Sequence, residues 1–266
     1  LLQNLEADDL ADIAFGTSSA RTLSVAFWVK SSVAGTYSGA LVNTASNRSY
    51  VWNFALLANT WTLISQTIAG DTAGTWVLKG NGIGVSLRVG IVAGSNFQSG
   101  TPGGWVGSPT PAIGTASNSN SFFNANGSTF QLGPCGLWVA PAPQPLLRTS
   151  FQAELARCQR YYEKSFDIGA APGTASSASN AVVINGAALS LGGNVYAYKV
   201  SKRATPTVTA YSTITGAAGK IRDSVANADI TASMFGATQN SVIWYGTPVA
   251  TGTINFYANF VADARL

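Results

Sequence analysis

Side chains able to do bond-making chemistry are few in this chain and far apart. Histidine is absent, which removes the imidazole base of Ser-His-Asp and Cys-His catalysis. Between Ile13 and Ala153 the sole carboxylate is Asp71. Glycoside hydrolysis by the usual route needs two carboxyl groups about 5–10 Å apart, so this stretch cannot supply the pair alone. The acidic N-terminal segment or a neighbouring subunit would have to provide the second. Asp71 opens Asp71-Thr72-Ala73-Gly74-Thr75, where a turn capped by the aspartate side chain accounts for it. Glu6, Asp8, Asp9 and Asp12 cluster near the start. Calcium takes about six to eight oxygen ligands, and the cluster is read instead as a solvated or helix-starting segment. Cys135 and Cys158 are too far apart in sequence for any common structural zinc spacing; both are expected to be reduced, structural thiols, and neither a metal nor a cofactor is expected. Gly80, Gly82 and Gly84 have nucleotide-loop spacing, but no helix follows to bind phosphate, so they are read as turn glycines.

Aromatic residues carry more information. Six of the seven tryptophans, Trp28, Trp52, Trp61, Trp76, Trp105 and Trp138, precede residue 140. Trp28 falls on the strand face opposite Leu23, Val25, Phe27 and Val29. Tyr50, Trp52 and Phe54 share one face, and Arg88 shares a face with Ser86 and Gly90. An aromatic ring stacks on the apolar face of a sugar while polar neighbours bind its hydroxyls. Trp28, Trp52, Arg88 and Trp105 are therefore the candidate glycan contacts, with Trp105 placed as an exposed platform on a flexible Gly103-Gly104 loop. The competing expectation for each ring is core or interface packing.

The elements that would position these residues are mostly strands. Period-two alternation over Leu23–Val29 marks a strand with one buried face. Arg48–Leu57, Trp61–Ala69, Thr75–Lys79, Ile83–Val92 and Thr129–Val139 are further candidates, and Asn81-Gly82 reads as a type I′ hairpin turn. A Gly/Ser/Pro-rich loop spans Gly94–Asn120. From Thr149 to Phe166 the pattern changes: Phe151, Leu155, Cys158, Tyr162 and Phe166 trace one helix face, with Thr149 and Gln152 as a capping box. After a Gly/Ala/Ser-rich linker over Gly169–Asn180, strands resume at Ala181–Leu191 (turning at Asn185-Gly186), Val195–Val200, Thr207–Tyr211, Gln239–Tyr245 and Thr253–Ala262. The fold class is all-β: a two-sheet sandwich over 1–145, a connecting helix over 146–166 and a second, smaller β-sandwich-like domain over 167–266.

Charged residues make up 10% of the 266 positions, against about 25% in an average soluble domain. The net charge is +4, with 15 basic and 11 acidic residues. The basic residues are scattered rather than clustered, so nucleic-acid binding is not expected. No apolar stretch reaches the ~18–20 residues of a membrane span, and no signal-peptide pattern opens the chain. Membrane insertion is not expected. The first residue is Leu, which reads as an excerpt or a processed product.

The run Glu154-Leu155-Ala156-Arg157-Cys158-Gln159-Arg160-Tyr161-Tyr162-Glu163-Lys164 resembles a motif of bacteriophage and prophage tail-fibre proteins. Ala26-Phe27-Trp28-Val29-Lys30-Ser31-Ser32, Gly35-Thr36-Tyr37, Asn47-Arg48-Ser49-Tyr50, Asn59-Thr60-Trp61 and Gly70-Asp71-Thr72-Ala73-Gly74-Thr75-Trp76 are similar to its opening strands, in the same order. Arg203-Ala204-Thr205-Pro206-Thr207-Val208-Thr209 and Ala262-Asp263-Ala264-Arg265-Leu266 resemble its C-terminal module. Gln131-Leu132-Gly133-Pro134-Cys135 departs from the family's Gln-Leu-Glu-Val-Gly. The resemblance implies a lectin-like jelly roll, a helix and a β tip displayed on the virion, assembled in the host cytoplasm. It supplies no catalytic residues. The expected function is non-enzymatic: the distal receptor-binding part of a tail fibre, a homotrimer contacting other virion proteins and host polysaccharide or lipopolysaccharide. The alternatives are a purely structural virion part, such as a head decoration or fibre adaptor, and a polysaccharide depolymerase whose acids (Glu163, Asp223, Asp229, Asp263) meet across subunits.

Overall fold

The computed structural model describes residues 1–118, 121–124, 126–146, 149–175, 182–186, 194–245 and 254–266. The chain divides into two compact units, residues 1–148 and 149–265, and the named strands pair antiparallel throughout.

The first unit contains β1 (Leu2–Glu6), β2 (Leu23–Ser31), β3 (Gly35–Asn43), β4 (Arg48–Leu56), β5 (Thr62–Ile68), β6 (Ile83–Gly90), β7 (Trp105–Gly107) and β8 (Phe130–Trp138). A five-stranded sheet runs β1-β6-β3-β4-β7, and a three-stranded sheet runs β5-β2-β8. Leu23, Val25, Phe27 and Val29 of β2 are fully buried and share a core with Tyr37, Leu41, Trp52, Phe54, Val85 and Leu87 of the larger sheet. The alternation read from β2 is thus the inner face of two packed sheets. Each such large apolar side chain contributes about 1.5–3 kcal/mol through its removal from water.

The five-stranded sheet is buried on its second face too, by the Gly/Ser/Pro-rich segment. Ala40, Val42 and Val51 pack there against Ala112 and Val106. Short polar side chains pin the segment down: Ser38 Oγ donates to the Ile113 carbonyl at 2.8 Å, Asn118 Nδ2 donates to Ser38 Oγ at 3.0 Å, and the Ala112 amide donates to Ser49 Oγ at 3.1 Å. This use of Ser and Asn under a loop fits a chain so poor in charge, because a small hydroxyl or amide satisfies loop backbone at a lower desolvation cost than a charge.

The second unit opens with α1 (Phe151–Tyr161), followed by β9 (Tyr162–Lys164), β10 (Val182–Gly186), β11 (Asn194–Ala197), β12 (Thr207–Ser212), β13 (Lys220–Asp223), β14 (Ala228–Thr231), β15 (Ser233–Phe235), β16 (Ser241–Tyr245) and β17 (Ile254–Asp263). β17 organises it, pairing with β10 and β13 through its first half and with β12 and β9 through its second. Phe256, Ala258, Phe260 and Ala262 alternate inward, meeting Val242 and Trp244 of the separate β11-β16-β15 sheet.

Several sequence expectations are corrected. The helix ends at Tyr161 rather than Phe166, because Tyr162–Lys164 pairs with the end of β17. Its cap is Ser150, whose side chain accepts from the Ala153 amide at 3.3 Å, while Thr149 donates to Glu154. The helical part of the apolar stripe is not a core face: no residue of α1 is buried and Phe151 is 63% exposed, whereas Phe166, beyond the helix, is buried. The helix falls within the second unit, residues 149–265. Residues 75–79 form no strand, and neither Asn81 nor Gly82 has a positive φ; β6 finds its partners in β1 and β3 instead of a hairpin. Asn185 and Gly186 continue β10 opposite Asn255 and Ile254 rather than turning; the remainder of that expected hairpin lies outside the described residues. The start of the acidic N-terminal segment is part of β1, with Glu6 buried, followed by a 3-10 turn at Ala7–Leu10.

Candidate functional site

The four sequence-predicted contacts do not converge. Trp52 lies on the inner face of the five-stranded sheet, 3% exposed, its ring closing over Gly39 opposite it in β3. A β-carbon at Gly39 would stand 2.1 Å from that ring, so glycine is what admits the indole. Trp52 is therefore out of reach of a surface glycan. Trp105 is half-buried, not an exposed platform. It pairs opposite Tyr50, donates from Nε1 to the Ala69 carbonyl at 2.7 Å, and packs edge-on to Phe15, Tyr50 and Trp76 at centroid distances of 5.4, 5.4 and 5.2 Å.

Asp71 anchors that ring cluster. Its carboxylate accepts from the Ala73 amide at 3.1 Å, the expected side-chain-capped turn, and from Trp76 Nε1 at 3.2 Å. It also receives Arg48 Nε at 2.8 Å and Nη2 at 2.5 Å. A carboxylate 2% exposed and held in a two-pronged guanidinium pair is committed to structure.

Arg88 sits on the outer face of β6 with Ser86 and Gly90, as its alternation with core Leu87 and Val89 requires. Its Nε is buried without a hydrogen-bond partner among the described residues, and burial lowers its pKa. Nothing aromatic from the predicted set lies on that face.

Trp28 remains, and its surroundings form the candidate site. It is 38% exposed on the outer face of the three-stranded sheet. Leu63, 48% exposed, stands opposite it on β5, and Trp61, 45% exposed, precedes that strand. Lys30, two residues along the same face, holds Nζ 5.4 Å from the centre of the Trp61 ring. Among the described residues Lys30 has no carboxylate partner. The β8 strand opens to make room. Phe27 pairs with Cys135 and Val29 with Leu132, so Gly133 and Pro134 together face the single Trp28. This is a β-bulge, a device that bends a strand and re-aims side chains, and it places Pro134 where no ladder donor is needed. A β-carbon on Gly133 would lie 2.9 Å from Trp28 Cβ and 3.5 Å from the Trp61 ring. The missing side chain therefore leaves the two indoles flanking one spot. Further along the face, Thr67 Oγ1 donates to the Pro141 carbonyl at 3.0 Å and Ala26 is 4% exposed, so the open surface is confined to the bulge end.

Trp61 and Gly133 were not singled out from sequence as contacts. Trp61 lies just outside the strand, and its relation to Trp28 depends on a bulge that no local pattern reports. A Gly-Pro pair inside an expected strand is the signal that could have found it.

An apolar cavity of about 430 Å³ opens between the two sheets, lined by Leu1, Leu5, Phe27, Leu87, Leu132 and Cys135. Cys135 is exposed, yet desolvation where it lines the cavity pushes its thiol up. Both cysteines are free. Among the described residues no three His, Cys, Asp or Glu side chains are grouped to hold a metal ion, and no helix is long and apolar enough to cross a membrane. Comparison with known proteins finds no matching family model, no matching curated protein and no matching solved structure.

Proposed function

We propose that this protein is a non-enzymatic adhesin that holds a cell-surface glycan on the Trp28–Trp61 platform, as the receptor-binding part of a phage tail fibre. The observation carrying the reading is the pair of exposed indoles flanking the β8 bulge, with Leu63 and Lys30, which has no carboxylate partner among the described residues, beside them. Flat rings cover the C–H face of a pyranose, and a cation at the rim binds hydroxyl or carboxylate oxygen. In this reading the five-on-three strand arrangement of the first unit is a lectin-like jelly roll, and the protein works on the virion.

The reading also takes the protein to be a homotrimer. Exposed Phe151 and Cys158 flank half-buried Leu155 on α1 and support it, because spacings of four and three residues match a coiled-coil seam. Threefold display multiplies a weak sugar contact into avidity.

The test is adsorption. Labelled protein should bind host cells and the polysaccharide extracted from their surface, and should release no new reducing ends from it. Absence of binding to both materials would overturn the proposal; new reducing ends would favour a depolymerase.

A further inference from the structure

The second unit carries a polar groove on the outer face of β12, β17 and β9. Since Phe256, Phe260 and Ala262 of β17 point into the core, Val261 and Asp263 point out. β12 sets Thr207 opposite Asp263 and Thr209 opposite Val261, and β9 sets Tyr162 opposite Asp263 on the other side. With Tyr211 and Arg265 these residues line a depression of about 500 Å³.

The chemistry of the lining is specific. Arg265 lies over the Tyr162 ring at 5.1 Å and grips Asp263 through Nε at 3.0 Å and Nη2 at 2.5 Å. Nε also reaches Oδ1 at 3.0 Å, and the backbone amide of Arg265 donates to the same oxygen at 3.0 Å. These bonds hold the Asp263 pKa below the usual carboxylate range, so it stays an acceptor at neutral pH. The guanidinium side chain is 67% exposed, leaving donor hydrogens free toward solvent. The hydroxyls of Tyr162, Thr207, Thr209 and Tyr211 make no side-chain hydrogen bond to any described residue. Tyr211 is braced from behind by Phe166, ring centres 5.6 Å apart.

We infer that this groove is a second carbohydrate site, selective for a neutral pyranoside with vicinal hydroxyls. The guanidinium, fixed in place by the carboxylate, presents its remaining donors to sugar oxygens, with the carboxylate 30% exposed beside it. Unclaimed threonine and tyrosine hydroxyls serve the remaining oxygens, and the tyrosine rings offer apolar walls. Because Asp263 already neutralises Arg265, an anionic sugar gains no net attraction and meets a carboxylate at close range. The inference stands apart from the Trp28 platform: the groove lies wholly within the second unit, and either site can fail without the other.

Saturation-transfer NMR on the full chain tests it, using methyl α-D-glucopyranoside, methyl α-D-mannopyranoside and methyl β-D-galactopyranoside, with methyl β-D-glucuronide as the anionic comparison. At least one neutral glycoside should receive saturation at millimolar concentration. In a Trp28→Ala with Trp61→Ala background, where only the groove can respond, Thr209→Val combined with Asp263→Asn should weaken that binding at least tenfold. Thr207→Val, a surface change on an exposed strand position, gives a second reading that does not disturb the ion pair; it should weaken binding severalfold. Transfer to none of the neutral glycosides, transfer to the glucuronide alone, or equal binding in Thr207→Val and in a folded double variant would overturn the inference.

Discussion

Lys202 Nζ lies 2.6 Å from Glu163 Oε2, and neither side chain is exposed to solvent. The ammonium spends its other donors on the carbonyls of Gln159 and Val200, at 2.6 and 2.8 Å. Glu163 in turn accepts from the Lys199 amide and the Tyr196 hydroxyl. One ion pair thereby ties the end of α1, β9 and the segment after β11 into a single core. Glu163, one of the acids a depolymerase could draw from across subunits, is held in this structure by Lys202, Tyr196 and the Lys199 amide.

Removing one partner of a buried pair strands the other charge, at a cost of about 3–5 kcal/mol. Lys202→Met and Glu163→Gln should each destabilise the second unit by that order, while the double change Lys202→Met with Glu163→Leu should recover much of the loss. Urea unfolding of the four proteins checks this. Two single variants as stable as the parent would show that the pair is not buried in solution.

Alkaline pH should weaken the same region. Burial, with the charge of Glu163 nearby, pushes Tyr196 and Tyr198 up from 10.0 to about 12. The unfolded chain ionises these phenols near pH 10 while the folded chain holds them neutral, so stability is full below that pH and is lost as pH rises toward 12. For Tyr198, 8% exposed, a two-unit shift corresponds to about 2–3 kcal/mol. Tyr198→Phe should flatten the loss and cost nothing at pH 7, because the hydroxyl is buried without a hydrogen-bond partner among the described residues. Thermal melts from pH 7 to pH 12 read both effects.

In the first unit, Asp71→Asn should cost about 3 kcal/mol, since Arg48 loses its counter-charge in a largely buried site. Trp76 is held by the same carboxylate and packs edge-on to Trp105, so near-ultraviolet circular dichroism should lose intensity along with the melting temperature. A variant with parental melting and an unchanged aromatic signal would contradict this role.

How much of this was legible beforehand differs by element, for physical reasons. β2 was plain because only one of its faces is core, so apolar and other residues alternate. β3 was missed because both of its faces are covered: Tyr37 and Leu41 meet the core, while Ser38, Ala40 and Val42 lie under the loop, and alternation disappears. Residues 75–79 look like a strand locally but pair with no strand among the described residues. The α1 spacing announced a helix, yet its end at Tyr161 was set by β17, distant in the chain. Trp105 looked exposed because its neighbours are glycines; three other aromatic rings supplied by distant segments cover it. The Trp28–Trp61 platform was half visible: alternation put Trp28 outside, but the bulge that brings in Trp61 is a matter of register between strands.

Gly133→Leu should therefore displace the Trp61 ring and weaken glycan binding at least fivefold while the core beneath is retained, as judged by far-ultraviolet circular dichroism and melting temperature. Unaltered binding would show that the bulge does not shape the site.

The most direct measurement is a calorimetric titration of the parent chain and of Trp28→Ala with Trp61→Ala against surface polysaccharide from the adsorbing host. Both indoles are substantially exposed, so their removal should leave the fold intact while affinity drops at least tenfold. Equal affinity in the folded double variant would contradict the claim that this protein attaches through those two rings.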